Sequence, residues 1–167
     1  MRKMTEKNLQ DAFAGESQAH MKYRAFADKA DKENLPNVAR VFRANAHAEV
    51  LHATNHLRNL SGIGSTAENV KAAIEGETFE VEEMYPVYIN TAQLQQEKGA
   101  EFSTTAALAA EKVHAEMYKA ALPAVESGKD INYVPIHVCG VCGFTVEGDA
   151  PDACPVCGAP KEKFTKF

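Results

Sequence analysis

Four cysteines near the C-terminus carry the strongest chemical signal in the sequence. They occur as two Cys-x-x-Cys pairs, Cys139 with Cys142 and Cys154 with Cys157, and a glycine follows each pair. Two such turns supply four thiolates to a tetrahedral ion, and the glycine lets the chain turn back with its amides aimed at the sulfurs. The sequence therefore predicts a four-cysteine metal site. The spacing alone leaves both iron and zinc open.

Carboxylates and imidazoles upstream of the cysteines form a second group of candidate ligands. They comprise two Glu-x-x-His motifs, one Glu-x-x-Glu motif and one isolated glutamate: Glu49 with His52, Glu111 with His114, Glu80 with Glu83, and Glu16. Burying several unpaired carboxylates is costly, so a cation must compensate them. Oxygen-rich ligation with one imidazole per metal suits iron or manganese. The repeated motif predicts a site for two metal ions.

Four amphipathic helices must position these carboxylates and imidazoles. Apolar residues recur every three or four positions over about residues 5–30, 36–60, 65–98 and 100–127. Ser65 and Glu68 predict a capping box at the start of the third helix, and Gly99 predicts its end. Each stripe carries its candidate ligands near the middle. The sequence thus predicts a four-helix bundle with a metal site in its core.

A solvated surface is the alternative explanation for a Glu-x-x-His motif, and a single motif usually has that meaning. Two motifs in phase with the apolar stripes, together with Glu16 and the Glu80 pair in register, favour a metal site instead. The remaining histidines are expected to bind no metal, and two of them share the ligand faces. They are His20, His56, His47 and His137.

Composition excludes several classes of partner. The net charge is −5, and the acidic and basic residues are interspersed, so no basic stripe is available for nucleic acid or an anionic membrane surface. The N-terminus is polar, and no apolar run approaches the roughly 20 residues that span a bilayer. We expect a cytoplasmic protein, because a reducing compartment favours metal binding over disulfides at paired cysteines.

The sequence predicts two domains. The helical pattern stops after Gly128, which places a helical domain at residues 1–133 and a cysteine module at residues 134–167. A module of that size has too little apolar core to fold unaided, so metal binding must contribute much of its stability.

Three segments resemble one known family, the rubrerythrins, over nearly the whole chain. They are Ala12-Phe13-Ala14-Gly15-Glu16-Ser17-Gln18, Glu83-Met84-Tyr85-Pro86 and Cys154-Pro155-Val156-Cys157-Gly158. The resemblance implies a mainly α fold, in which a ferritin-like four-helix bundle precedes a small C-terminal rubredoxin-like domain. It also implies iron at both sites, since a di-iron centre that changes redox state needs an electron source such as a four-cysteine iron.

Individual residues receive roles from the same resemblance. The implied di-iron ligands are Glu16, Glu49, Glu80, Glu83, Glu111 and His114. His52 would exchange with Glu83 on one iron as the redox state changes. Tyr23 and Tyr88 match tyrosines that lie beside the iron site in the family, although the periodicity is equally consistent with core packing.

The activity that the resemblance implies is reduction of hydrogen peroxide to water, in defence against oxidative stress. Electrons would come from an external donor, a rubredoxin or an NAD(P)H-dependent reductase, through the cysteine-bound iron. Two alternatives stay open. One is a ferroxidase or oxygen-reducing di-iron protein with the same ligands, and the other is a non-enzymatic electron-transfer or metal-binding protein with zinc on the cysteines.

Chain lengths predict how the bundle assembles. In a ferritin-like bundle the second and third helices run parallel, so their connection must return the length of the bundle. Glu49 lies about 18 Å from the end of its helix, and Glu80 about 20 Å from the start of the next. The roughly five loop residues reach less than about 20 Å. If residues 66–78 are helical, we therefore expect a domain-swapped homodimer.

Overall fold

The computed structural model describes every residue from Met1 to Phe167, and the chain divides into two compact units, Met1–Gly64 and Ser65–Phe167. The elements are α1 (Lys3–Lys32), α2 (Pro36–Asn59), α3 (Thr66–Phe79), a π-helix (Glu80–Met84), α4 (Tyr85–Leu94), α5 (Lys98–Glu126), β1 (Ile136–Cys139), β2 (Thr145–Glu147), a 3₁₀ turn (Lys161–Lys163) and β3 (Phe164–Lys166). The predicted mainly α fold class is confirmed, and the strands are confined to the C-terminal module. No helix combines the length and the apolar composition that a membrane crossing needs.

The unit boundary after Gly64 falls inside the segment that the sequence analysis assigned to one helical domain. In the first unit α1 packs against α2. In the second unit α3 and α4 pack on α5, and β2 also contacts α5. The cysteine module therefore belongs to the same compact unit as the last three helices.

Alanines line the contact between α1 and α2. Ala27 and Ala30 pack against Ala39, and Phe42 covers this cluster from the side. Ala46 and Ala53 continue the buried line along α2 at seven-residue spacing. A seven-residue repeat keeps one helix face against its neighbour, and small side chains let the two backbones approach closely. The hairpin is thus a rigid support for the glutamates that it carries.

Four helices end in the same left-handed turn. The residue in this conformation has φ of 59° at Asn34, 56° at Ser61, 59° at Gln96 and 71° at Gly128. At the third turn the Glu97 N–H donates to the Ala92 carbonyl at 2.9 Å, which is the closing bond of a Schellman motif. The prediction that Gly99 ends the third helix is wrong. The left-handed position falls on Gln96, and Gly99 lies in the first turn of α5.

A π-helical turn joins α3 to α4 without a break. The Tyr85 N–H donates to the Glu80 carbonyl five residues earlier. The next residue is Pro86, which has no N–H to donate to Glu82 as an α-helix would require. A π turn adds one residue to the helical repeat, so the side chains beyond it are rotated relative to a regular α-helix.

This rotation moves the buried face of α4 by one residue. Regular spacing predicted Val87, Thr91 and Leu94 on the inner side, but all three are exposed, Val87 by 59% and Leu94 by 83%. Ala92 is buried in their place. The face that α4 buries within one chain therefore departs from an unbroken 3.6-residue stripe beyond Met84.

The C-terminal module is a three-stranded antiparallel sheet with the order β2-β1-β3. Val138 lies opposite Thr145, and Cys139 lies opposite Phe164. The core of this module consists mainly of the cysteines, with Phe144 and Phe164 packed against them. Since so little apolar surface is available, an ion on the thiols must supply much of the stability.

The start of α3 is fixed by the predicted capping box, which is confirmed. The Glu68 N–H donates to Ser65 Oγ at 3.3 Å, and the Ser65 N–H donates to Glu68 Oε2 at 2.7 Å. These bonds satisfy two amides that have no partner inside the helix. The segment from Thr66 to Phe79 is therefore helical, which is the condition on which the expected domain swap depended.

Replacing the capping serine should destabilise α3 measurably. We expect Ser65→Ala to lower the free energy of unfolding by about 1 kcal/mol, because the Glu68 N–H loses its side-chain acceptor. The measurement is urea denaturation followed by circular dichroism. Ser103→Ala, at an exposed position inside α5, is the control and should change stability by less than about 0.5 kcal/mol. Equal losses in the two variants would contradict the capping role.

Candidate metal centres

The four cysteines form one cluster of free thiols. Their sulfur atoms all lie within 4.8 Å of one another, with 3.7 Å between Cys139 and Cys157 and 3.6 Å between Cys142 and Cys154. A tetrahedron with metal–sulfur bonds of about 2.3 Å has edges of about 3.8 Å. The sulfurs are therefore already spaced for a tetrahedral ion.

Two backbone turns of the same form hold these sulfurs. The Gly143 N–H donates to the Cys139 carbonyl at 2.9 Å, and the Gly158 N–H donates to the Cys154 carbonyl at 2.8 Å. The two glycines have φ of 80° and 72°, a conformation that a side chain would disfavour. Each Cys-x-x-Cys motif thus depends on the glycine that follows it.

The cysteine thiols differ sharply in acidity. At Cys139 burial favours the neutral thiol, but the amides of Cys142 and Val141 and the neighbouring thiols outweigh it and lower the pKa to about 7. At Cys142 burial raises the pKa to about 12, against the opposing amide of Phe144. All four thiols become thiolates together only when a cation replaces their protons. The cluster is therefore suited to a metal ion.

The first carboxylate cluster lies on the hairpin of α1 and α2. It brings together Glu16, Glu49 and His52, whose ligand atoms lie within 4.8 Å of one another. Glu49 Oε2 is 3.1 Å from His52 Nδ1. A hydrogen bond shared with Glu49 is the main reason that the pKa of Glu16 is raised, followed by burial and the charge of Glu49. Two carboxylates thus crowd together beside one imidazole.

The second carboxylate cluster lies between α3 and α5 in the other unit. Glu77, Glu111 and His114 come together there, with His114 Nδ1 at 2.6 Å from Glu111 Oε2 and 3.8 Å from Glu77 Oε2. Burial, and then the adjacent Glu111, raise the pKa of Glu77 to about 7. Glu80 lies close by, and burial followed by the charge of Glu111 raises its pKa as well.

Glu77 is not among the ligands expected from the sequence, which on this helix were Glu80 and Glu83. Glu83 is exposed and lies in neither cluster. Helical spacing would have predicted Glu77 on the same face, because it lies four residues after Ala73 and three residues before Glu80. Glu83 itself lies within the π turn, which interrupts the regular spacing of the stripe.

The two tyrosines selected from the sequence contact other aromatic rings. Tyr23 packs against Phe26 and Phe42, with ring centroids 6.4 Å and 6.1 Å away. Tyr88 is half-exposed, and its ring meets that of Tyr85 edge-on at 6.1 Å. Tyr23 therefore contributes to the packing of the hairpin.

Tyr85 is the tyrosine beside the second cluster. Burial first, and then the charges of Glu80, Glu111 and Glu77, raise the pKa of its hydroxyl. A raised pKa keeps the hydroxyl protonated, so Tyr85 can donate a hydrogen bond near the carboxylates. Tyr85 belongs to the Glu83-Met84-Tyr85-Pro86 segment that carries the family resemblance, but that resemblance gave the role beside the iron to Tyr88.

Two of the other histidines bond to backbone carbonyls. His20 Nδ1 lies 2.8 Å from the Ala46 carbonyl oxygen and links α1 to α2. His137 Nδ1 lies 2.7 Å from the Gly148 carbonyl oxygen inside the cysteine module. Both imidazoles thus have packing roles.

An unpartnered carboxylate oxygen in the second cluster indicates a place for a metal ion. Glu77 Oε2 is buried and has no hydrogen-bond partner, although it faces an imidazole nitrogen and another carboxylate. An unpaired buried carboxylate oxygen is costly unless a cation binds it. Each cluster offers two glutamates and one histidine, a donor set that suits iron.

Comparison with known proteins decides the family. The family model described as rubrerythrin matches residues 7–122, and that described as the rubrerythrin rubredoxin-like domain matches residues 137–165. The chain belongs to the rubrerythrin family. Rubrerythrins bind iron, so the four-cysteine cluster is a rubredoxin-like iron site and the carboxylate clusters are a candidate di-iron site. The iron expected from the sequence is thereby confirmed, and members of the family are generally oxidoreductases.

Relatives match the chain from end to end. Rubrerythrin-2 of Clostridium acetobutylicum is 40% identical over 178 residues, covering 98% of this chain and 97% of the relative. Nigerythrin of Nitratidesulfovibrio vulgaris is 33% identical over 177 residues, covering 98% and 86%. A solved structure of nigerythrin in its fully reduced, all-ferrous state has a TM-score of 0.56 with this chain at 33% identity, again covering 98% and 86%.

Substitution of each glutamate should show whether Glu77 or Glu83 is the metal ligand. We expect Glu77→Gln to weaken ferrous iron binding at the carboxylate centre by at least about tenfold, because a charged ligand is lost. Glu83→Gln changes the same side chain two turns later and should bind iron like the unaltered protein. Iron titration against a coloured chelator measures both. A larger loss for Glu83→Gln would restore the ligand set expected from the sequence.

In the metal-free protein, the free energy of unfolding should depend on pH through the protonation of Glu77. Its pKa is about 7 in the folded chain and about 4.3 when unfolded, so the folded state holds the proton more tightly. The resulting stability is complete below the unfolded pKa and is lost as the pH rises through 7. Urea midpoints of the metal-free chain should fall between about pH 5 and pH 8, and the fall should be smaller in Glu77→Gln than in Glu83→Gln. Equal falls in the two variants would contradict this assignment.

Proposed function

We propose that this chain is a non-heme di-iron peroxidase that reduces hydrogen peroxide to water with electrons supplied through its cysteine-bound iron. One observation carries the proposal: two Glu-Glu-His clusters of the same composition occur in one chain with a rubredoxin-like four-cysteine cluster. When bound, the iron pair supplies Lewis acidity and two electrons for the O–O bond, and the cysteine-bound iron restores those electrons.

The ligand set of the proposed di-iron centre follows the ferritin-like pattern. In that pattern two helices contribute one glutamate each, and the other two contribute a Glu-x-x-His motif each. Glu16 and Glu77 are the isolated glutamates on α1 and α3. The full set of proposed ligands is Glu16, Glu49, His52, Glu77, Glu80, Glu111 and His114.

Glu80 is the extra carboxylate, and we assign it the exchange with His52 that the sequence analysis gave to Glu83. Glu80 is half-buried near Glu111, whereas Glu83 is exposed in the single chain. The His52 side chain is 55% exposed, so the imidazole has room to change its position. The two residues could then alternate on one iron while the other ligands stay fixed.

Tyr85 holds a proton beside the carboxylates. Its raised pKa keeps the hydroxyl neutral, and a neutral phenol can donate a hydrogen bond to an oxygen species that approaches the centre. The edge-on contact with Tyr88 orients the ring. Tyr85 is thus the proposed hydrogen-bond donor of the site.

We propose that the di-iron centre is completed by a second copy of the chain. Glu49 lies about 15 Å from the end of α2, and Glu77 about 16 Å from the start of α3. Between Asn59 and Thr66 the linker holds six residues, which reach at most about 24 Å. In a bundle with α2 and α3 parallel, the linker would have to cover about 31 Å. A domain-swapped homodimer removes this requirement.

Exposed apolar side chains in both units support assembly. Residues of this kind are rarely left against water in clusters unless another surface covers them. In the first unit they include Phe26, Val41 and Leu51, and in the second Phe79, Val87, Leu94 and Phe102. A partner chain that contributes one helix pair would cover them.

Mixing two damaged chains tests the swap. Glu16→Gln with Glu49→Gln removes the ligands of the first unit, and Glu77→Gln with Glu111→Gln removes those of the second. In a swapped heterodimer one centre is intact, so a refolded equimolar mixture should recover about one quarter of the unaltered activity per chain. Each damaged chain alone is the control and should be inactive. No recovery in verified heterodimers would contradict the swap.

The choice of oxidant tests the activity. The iron-loaded chain is reduced without oxygen and mixed with peroxide or dioxygen, and the return of the ferric cysteine absorbance is followed. Faster return with peroxide, by at least about tenfold, is the expected result for a peroxidase whose cysteine iron feeds the di-iron centre. Faster return with dioxygen would establish the oxidase or ferroxidase instead. A fully metal-loaded protein without the absorbance would hold zinc on its cysteines.

The proposed setting is oxidative stress defence in the cytoplasm. All four cysteines are free thiols held for a metal, which suits a reducing compartment. The electrons must come from an external donor, such as a rubredoxin or an NAD(P)H-dependent reductase, that docks near the cysteine module.

A further inference from the structure

Thr145 connects the cysteine module to the second carboxylate cluster. It is the first residue of β2 and is only 3% exposed. Its Oγ1 lies 2.8 Å from His114 Nε2 and 3.2 Å from the Gly143 carbonyl oxygen. Gly143 follows Cys142 directly, so a single hydroxyl bridges an imidazole of the carboxylate cluster and the first cysteine turn.

The Gly143 carbonyl fixes the direction of both hydrogen bonds. A carbonyl only accepts, so the Thr145 hydroxyl donates its proton to Gly143 and has only lone pairs left for His114. His114 Nε2 must therefore carry a hydrogen and donate it to Thr145. Nδ1 is then the nitrogen that faces Glu111 and Glu77, where a metal ion replaces a proton.

A role confined to packing in strand β2 would not require a hydroxyl group at Thr145. Valine fills nearly the same volume and is at least as favourable in a buried strand. A buried hydroxyl costs free energy unless it is hydrogen-bonded. At Thr145 both bonds are made, and one of them reaches a helix 31 residues earlier in the chain.

We propose that Thr145 is a positioning residue of the di-iron centre. Its hydroxyl holds the His114 ring with Nδ1 toward the carboxylates and ties the first cysteine turn to α5. Hydrogen bonds to the second nitrogen of a ligating histidine set its orientation and its affinity for metal. The inference rests on the proposed function in one respect, since it takes the second cluster to bind iron.

Three variants of the full chain isolate the hydroxyl. Thr145→Val removes it at constant shape, and Thr145→Ser restores it. Thr165→Val makes the same change as the first variant at an exposed position of β3 in the same sheet.

Ferrous iron affinity at the carboxylate centre is the first readout. Thr145→Val should bind iron about tenfold more weakly, which is the usual size of the effect when a partner of a ligating histidine is lost. Thr145→Ser and Thr165→Val should both stay within about twofold of the unaltered chain. Equal affinity in Thr145→Val, or failure of Thr145→Ser to restore binding, would overturn the proposal, and so would an equal loss in Thr165→Val.

Nuclear magnetic resonance of the zinc-loaded full chain is the second readout. The Nε2–H proton of His114 should give a signal protected from exchange with water in the unaltered chain and in Thr145→Ser. In Thr145→Val the protection should disappear, while the amide signals of β1 and β3 persist and show that the sheet is folded. An unchanged signal in Thr145→Val would overturn the assignment. Neither readout involves peroxide or oxygen, so failure of the peroxidase activity and failure of this inference are distinguishable.

Discussion

Carboxylates that gather away from water need positive charge nearby, and most of this structure follows from that requirement. A hydrogen bond with Glu49, followed by burial and repulsion, raises the pKa of Glu16, and burial is the main cause that raises the pKa values of Glu77 and Glu80. One oxygen of Glu77 is buried without a hydrogen-bond partner. Protonation relieves such crowding only in part, whereas a metal ion relieves it and gains ligands. A cation at each cluster offsets the cost of placing these glutamates together. The free energy that an apolar core would supply elsewhere comes here partly from metal binding.

The same dependence on metal appears in the cysteine module, where the thiols themselves form the core. The two metal centres are not independent in structure, because α5 carries His114 and also contacts β2. An imidazole that serves as a ligand on one side and as a hydrogen-bond donor on the other is a common means of fixing ligand geometry. In this chain the donor's partner belongs to the cysteine module, which places the second carboxylate cluster and the four cysteines in one compact unit.

Sequence patterns predicted the structural features that are determined by residues close together in the chain. The Cys-x-x-Cys turns, the capping box at Ser65 and the Glu-x-x-His motifs were visible, because each is set by residues a few positions apart. The third predicted helix, which the structure divides into α3, the π turn and α4, was assigned less well. A π turn shifts the helical phase by one residue, and no periodicity analysis that assumes 3.6 residues per turn can detect it. That assumption placed Val87, Thr91 and Leu94 on the stripe, and all three are exposed in the single chain. The contact of Thr145 with His114 joins distant segments, so only the folded structure reveals it.

Mössbauer spectroscopy of the chain reconstituted with ⁵⁷Fe tests the central claim most directly, because it distinguishes iron by its ligands and by coupling to a second ion. We expect one sulfur-ligated tetrahedral iron and one exchange-coupled pair of irons held by oxygen and nitrogen ligands. The coupled pair should contribute about twice the absorption of the sulfur-ligated iron. A spectrum that contains the sulfur-ligated iron alone, or only uncoupled iron at the carboxylates, would show that these glutamates do not assemble a di-iron centre.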